Sequence, residues 1–294
     1  MTDLPADSVI GVTVRSERVI SLVAAGVTAY LAVTVYPMVR YATAARDWLP
    51  LVVHLVVLAL AALTIRRMTG RRRLVRDWLP LALGPYLYIE LRWLIEGLGR
   101  PHMDATVILW ERRIFPGDPS HALAIRFPGL AVSELLHACY LSYYALVLVP
   151  PALLYLRARR EAYAATTTAL VLVYLACFSC FLFFPVDGPR FLVGPAAAPA
   201  GPVRSLVLQL LQAGSSRGTA FPSSHVAASV VAALCALRHQ RRVGYVTAAF
   251  ATGLTLSTVY GGFHYGVDAL AGLAVGLVAS GGAWWLWRAI PGEA

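Results

Sequence analysis

The feature that most limits what this chain can become is the recurrence of apolar runs of close to twenty residues along its whole length. Eight such runs stand at about 19–39, 48–65, 78–98, 130–156, 167–186, 225–239, 244–265 and 267–290. A run of roughly 20 apolar residues is what an α-helix needs to cross the hydrocarbon core of a bilayer. The run at 78–98 is the weakest, because it carries Glu90 and Arg92, and the run at 225–239 is short. Only 14% of the side chains are charged against 59% hydrophobic, whereas a soluble domain carries roughly a quarter charged. The expected fold class is therefore all-α: a polytopic membrane helical bundle.

The net charge of +10 comes from arginine alone, for the chain has no lysine. A nucleic-acid surface would need those arginines on one solvated face. They cluster instead in short connections: Arg66, Arg67, Arg71, Arg72, Arg73 and Arg76; then Arg157, Arg159 and Arg160; then Arg238, Arg241 and Arg242. These are alternate loops, which the positive-inside rule places in the cytoplasm together with both termini. Charge here reports topology, and no nucleic-acid partner is expected. The loops at about 99–129 and 187–224 then lie outside. Cys139, Cys177, Cys180 and Cys235 all fall in apolar runs, so neither a disulfide framework nor a redox site is expected from them.

Three polar stretches share the outer level: "FFPVDGPRF" (183–191), "SSRGTAFPSSH" (215–225) and "STVYGGFHYGVD" (257–268). His264 precedes Asp268 by four residues. On a helix that spacing puts both on one face, where the carboxylate can take the Nδ1 proton and aim Nε2 outward. Taken alone, the pair also fits an ordinary capping contact. Pro222, Ser223 and Ser224 stand where a helix begins, and free N–H groups there favour a phosphate; serines that merely cap a helix look the same. Arg190 and Arg217 flank this opening with guanidinium forks suited to phosphate oxygens. Two histidines and one carboxylate lack the outer-shell pattern of a zinc site, so no metal and no cofactor is expected.

Pro222-Ser223-Ser224-His225, and Ser257-Thr258 followed by His264 and Asp268, resemble the second and third motifs of the type-2 phosphatidic acid phosphatase superfamily. The first motif survives as Arg190. The family lysine falls on Phe183, the proline after the arginine on Phe191, and the arginine of the third motif on Thr258. Those losses, with "MDATVILWERRIFPGDPSHAL" (103–123) and "SELLHACYLSYY" (133–144), are similar to the branch of inositol-phosphorylceramide and sphingomyelin synthases. The resemblance implies a six-helix catalytic core within 78–294, preceded by a cytoplasmic tail and two added spans in 1–77. It implies His264 as nucleophile, Asp268 as its orienting acid and His225 as the leaving-group acid. Arg190, Arg217, Ser223 and Ser224 are then the phosphate cradle. The implied substrate is a membrane lipid phosphate ester, with water or a lipid or polyol alcohol as acceptor. A plain lipid phosphate phosphohydrolase is the nearest alternative, and a non-catalytic membrane binding protein or transporter a more distant one. The arginine- and alanine-rich composition places the expected setting in a bacterial inner membrane, with the site at its outer face.

Overall fold

The structure is a computed structural model that describes residues 6–67 and 73–290, with side chains over 15–65 and 74–290. Arg71 and Arg72 of the first basic cluster lie outside the described residues. The helices in chain order are α1 (Ala6–Ala45), α2 (Leu49–Arg67), α3 (Arg73–Ala82), α4 (Gly84–Leu98), α5 (Asp104–Ile114), α6 (Pro119–Arg126) and α7 (Leu130–Leu141). There follow α8 (Tyr143–Leu156), α9 (Arg160–Phe183), α10 (Pro189–Leu192), α11 (Pro202–Gly214), α12 (Ser224–His239), α13 (Arg241–Tyr260) and α14 (Gly266–Ala289). The all-α class holds. An isolated bridge, Val186 with Thr219, is the β-type pairing described.

Every one of the eight apolar runs is helical, but they are not eight uninterrupted spans. Three helices are long and apolar enough to cross a bilayer: residues 15–45 of α1, α9 and α14. The run at 130–156 makes a fourth only as the pair α7 and α8, bent by 45°. The run at 78–98 breaks at Leu83 into α3 and α4. Pro85 at the start of α4 lacks the N–H that would have continued the ladder. The run at 244–265 stops at Tyr260, where Gly261 and Gly262 turn the chain; Gly262 has φ +67°. His264 therefore stands in a loop, and the same-face helix argument for His264 and Asp268 does not describe it. At 16 residues, α12 rises only about 24 Å, short of a ~30 Å core.

The short α12 is the centre of the catalytic half, packed by α8, α9, α13 and α14. Most of its buried positions are small: Ser224, Ala227, Ala228, Ser229, Ala232, Ala233 and Ala236, with Val226 and Val231 beside them. Facing them, α14 presents Gly272 and Gly276. A Cβ at Gly272 would stand 2.5 Å from the Ser223 carbonyl, and one at Gly276 would stand 2.7 Å from the Ala227 carbonyl. Small residues spaced by four let two backbones touch. This contact sets the start of α12, with His225, against the start of α14, with Asp268.

The basic connections gather at one end of the bundle. Asp77 accepts from Arg160 Nη1 at 3.0 Å and from Arg76 Nη2 at 3.1 Å. Arg157 donates to Gln240 and Arg159 to the His239 carbonyl. The 24 residues of α9 run from that end to the other, about 36 Å away. There the 99–129 and 187–224 connections meet the 261–265 turn: Met103 N–H donates to the Pro185 carbonyl and Ala196 N–H to the Gly261 carbonyl.

Candidate active site

The site forms where α9, α12 and α14 begin or end at the second of these poles. The Val186–Thr219 bridge holds the segment after α9 beside the one before α12, with Val186 N–H donating to Gly218 and Ala220 N–H to Val186. Ser223 caps α12 by accepting from Val226 N–H at 3.4 Å, and its own N–H donates to the Asp268 carbonyl at 3.0 Å. The turn after α13 is drawn in by the Thr258 carbonyl, which accepts from both Phe263 and His264 N–H at 3.0 Å. Three segments distant in sequence are thus tied by backbone bonds.

His225 and His264 face each other with ring centroids 6.1 Å apart. They line one small cavity with Arg190, Tyr88, Tyr140 and Thr219. His264 Nδ1 lies 2.9 Å from the Ala220 carbonyl. A carbonyl oxygen only accepts, so Nδ1 carries the proton and Nε2 keeps a free lone pair. Asp268 stands behind the ring, Oδ2 at 3.5 Å from the same Nδ1. That oxygen closes the α14 capping box by accepting from Tyr265 N–H at 2.8 Å. Its other oxygen is buried with no partner among the described residues. The expected Asp268-to-Nδ1 hydrogen bond is therefore not the one formed: the carboxylate stands 3.5 Å behind the ring, and the tautomer is set by Ala220. Burial holds His264 well below the usual imidazole range, at about 4; the Ala220 carbonyl works against that shift and the Arg190 charge with it. At neutral pH the ring is an uncharged base.

His225 is held differently. Its ring is stacked on Tyr140 at 5.2 Å and tilted against Tyr143 at 4.3 Å. Its Nε2 is 3.5 Å from the Tyr140 hydroxyl. Arg190 reaches the cavity from α10, placed over the Phe191 ring at 4.2 Å. Phe191 stands where the resemblance led one to expect proline. Arg190 donates to the Leu211 carbonyl and to the Ser215 hydroxyl, and burial lowers its pKa below the free value.

The remaining predicted cradle is only partly assembled. Ser224 is buried and lines a neighbouring apolar cavity that His225 also lines. Ser223 is fully buried as the helix cap. Arg217 points outward with its side chain 64% exposed, and its nearest acid is Asp187 at 3.8 Å. It does not line the cavity with the histidines.

Several residues escaped the sequence reading. Asp104 accepts from Asp187 and Gly188 N–H, each at 3.0 Å. Glu111 accepts from Gly266 and Val267 N–H, each at 2.8 Å. His102, Asp104 and Asp187 bring ligand-type atoms within 4.8 Å of one another. Yet both Asp104 oxygens, and Asp187 Oδ1 with Gly218 N–H at 2.9 Å, already accept from N–H groups. Donors pointing at the oxygens make this a loop clamp rather than a cation cage.

The sequence model of the PAP2 superfamily matches residues 107–281, which include both histidines, Arg190 and Asp268. The chain belongs to the PAP2 superfamily. Neither curated proteins nor solved structures gave a match to it. Membership makes this PAP2 protein an enzyme of the phosphatase and phosphotransferase type that works on lipid phosphates, and its long apolar helices make it an integral membrane protein.

Proposed function

We propose that this PAP2 protein transfers or hydrolyses a lipid phosphate ester through a phosphohistidine on His264, in the manner of the inositol-phosphorylceramide-synthase-like branch. The observation that carries the reading is the shared cavity of His225, His264 and Arg190. His264 Nε2 attacks phosphorus; the N–P bond forms as the P–O bond to the lipid alkoxide breaks, and His225 supplies that alkoxide with a proton. The acceptor hydroxyl then gives its proton to His225 as its oxygen displaces His264 from phosphorus. Asp268, 3.5 Å from Nδ1, balances the charge on the ring while it is substituted. Such a transition state needs mainly positioning and charge stabilisation.

The synthase-like refinement has support in the charge count. Arg190 is the guanidinium lining the cavity, while Arg217 faces outward and Thr258 is buried. One fixed positive charge suits a phosphodiester with one negative charge better than a dianionic monoester. The acceptor is then a lipid or polyol hydroxyl rather than water, at a site on the outer face of the membrane.

The test is to supply purified protein with a lipid phosphodiester or a lipid phosphomonoester, each with and without a lipid alcohol. Transfer product from the diester, retained in EDTA, is expected, together with an acid-labile phosphoryl adduct that disappears in His264→Ala. Free phosphate from the monoester alone would make the protein a phosphohydrolase. Activity lost in EDTA and restored by a divalent metal would overturn the metal-free route.

A further inference from the structure

Beside the polar cavity lies a second one of about 290 Å³, walled by parts of α3, α4, α7, α8, α9, α11 and α12. Tyr88, Tyr140, Ser215 and His225 line both. The second cavity therefore ends against side chains that also wall the first. Away from that end the lining is almost wholly apolar. The hydroxyls of Tyr143 and Tyr174 bond each other at 2.9 Å, so each already has a polar partner within the wall. The rim carries apolar side chains open to the surroundings: Ile89 at 43%, Tyr144 at 61% and Leu148 at 46% exposure.

We propose that this cavity takes one hydrocarbon chain of the lipid phosphate, and that α3 and α4, upstream of the family-matched segment, supply the wall that reads its length. This rests on the lipid-phosphate reading above. Leu81, Gly84, Pro85, Tyr88 and Ile89 all line the cavity and all precede residue 107, where the superfamily match begins. One wall of the chain cavity thus comes from helices upstream of the matched segment, and the opposite wall and the two histidines from within it. From Tyr88 to Leu81 the wall extends seven residues across the break at Leu83, so it measures at most roughly 10 Å at helical rise, or up to about eight extended methylenes.

Two glycines make the idea testable. Gly84 on α4 and Gly214 at the end of α11 line the cavity, and a Cβ built on either meets nothing within 4 Å. Neither has a positive φ. A leucine at either position has room at its base and takes up pocket volume rather than colliding with backbone.

The probes are n-alkyl p-nitrophenyl phosphodiesters with alkyl chains from methyl to dodecyl, used below their micelle concentrations. Each added methylene then leaves water on binding, which is worth roughly three- to fourfold in affinity. Wild-type kcat/KM is expected to climb by about that factor per carbon and to level off by about eight. Gly84→Leu is expected to bring the plateau several carbons earlier and to lower the octyl-to-methyl ratio of kcat/KM by about tenfold or more. Gly214→Leu is expected to do the same from the opposite wall. If the methyl ester is turned over but the series is flat, or if neither leucine moves the ratio, this inference falls and the phosphoryl-transfer reading stands. If none of the esters is turned over, that reading falls and takes this one with it.

Discussion

At the scale of single residues, two imidazoles 6.1 Å apart can divide one reaction between them only if their surroundings differ. His264 is fixed by a backbone carbonyl and backed by a carboxylate, which leaves Nε2 free with a base's lone pair. His225 is stacked on the Tyr140 ring, tilted against Tyr143 and has the Tyr140 hydroxyl at its Nε2, a partner that can donate or accept and so does not force a tautomer. Loss of the nucleophile removes the reaction for every substrate. Loss of a leaving-group acid matters only when the leaving group needs a proton. His225→Ala is accordingly expected to lose about 10²–10⁴-fold in kcat on a lipid alkoxide ester and far less on a p-nitrophenyl ester, whereas His264→Ala loses both. Kinetics of the two variants on the two ester types check this, and rescue of His264→Ala by the aryl ester would reverse the assignment. His225, His264, Asp268 and Arg190 could be picked out from the sequence by residue type and spacing, and the structure brings them together. The Ala220 carbonyl could not, because a backbone acceptor has no sequence signature. Arg217 misled for the complementary reason: charge and proximity in sequence do not say which way a loop side chain points.

One amphipathic element organises the site from outside. Asp104 and Glu111 are seven residues apart on α5, two turns and hence one face of the helix. Both are buried, and each accepts two N–H groups from a different catalytic segment. Asp104 holds Asp187 and Gly188, two positions before Arg190; Glu111 holds the first turn of α14, directly after His264 and Tyr265. Hydrogen bonds to a charged acceptor are worth about 1.5–3 kcal/mol, and here they fix the segments that carry Arg190 and follow His264. Glu111→Gln keeps the shape but turns an amide nitrogen toward one of the two N–H groups, leaving it without an acceptor. The expected result is a fall of about tenfold in kcat with KM little changed, equal for lipid and aryl esters. Steady-state kinetics with both ester types test it, and an unchanged kcat with a lower melting temperature would reduce Glu111 to a structural cap. The sequence marked 103–123 as an outer stretch similar to one branch of the superfamily. It could not show what the acids hold, because their partners are backbone groups 83 and 155 residues away. The bend within 130–156 and the break at Leu83 were hidden for a related reason. Apolar content tells how greasy a run is, and local turns inside it change that average very little.

For the molecule as a whole, the two N-terminal helices must be attached to the catalytic bundle with little help from the hydrophobic effect, since lipid tails are as apolar as the helix faces they would replace. Packing of α1 against α4 and α9 supplies part of the attachment. A polar rivet supplies another. His54 of α2 contacts Glu90 Oε2 of α4 at 2.8 Å through Nδ1, and its Nε2 donates to the Leu31 carbonyl of α1 at 2.9 Å. Both side chains are completely buried. Glu90 was the residue that made 78–98 look like the poorest span, and its partner 36 positions upstream is what makes an acid tolerable there. Sequence displays the acid but not the fold that brings an imidazole to it. Removing one partner of a buried pair leaves the other unsatisfied and costs about 3–5 kcal/mol, whereas replacing both by apolar residues is close to neutral. His54→Leu is therefore expected to lower the melting temperature of the detergent-solubilised protein by several degrees, and His54→Leu with Glu90→Leu to recover most of that loss. Because neither His54 nor Glu90 lines the cavity of His225 and His264, the double variant is also expected to keep its kcat on the methyl p-nitrophenyl ester. Thermal melts of the single and double variants decide the matter: equal losses in both would mean that the pair contributes net stability beyond mutual neutralisation, and no loss in either would remove its role as the fastener.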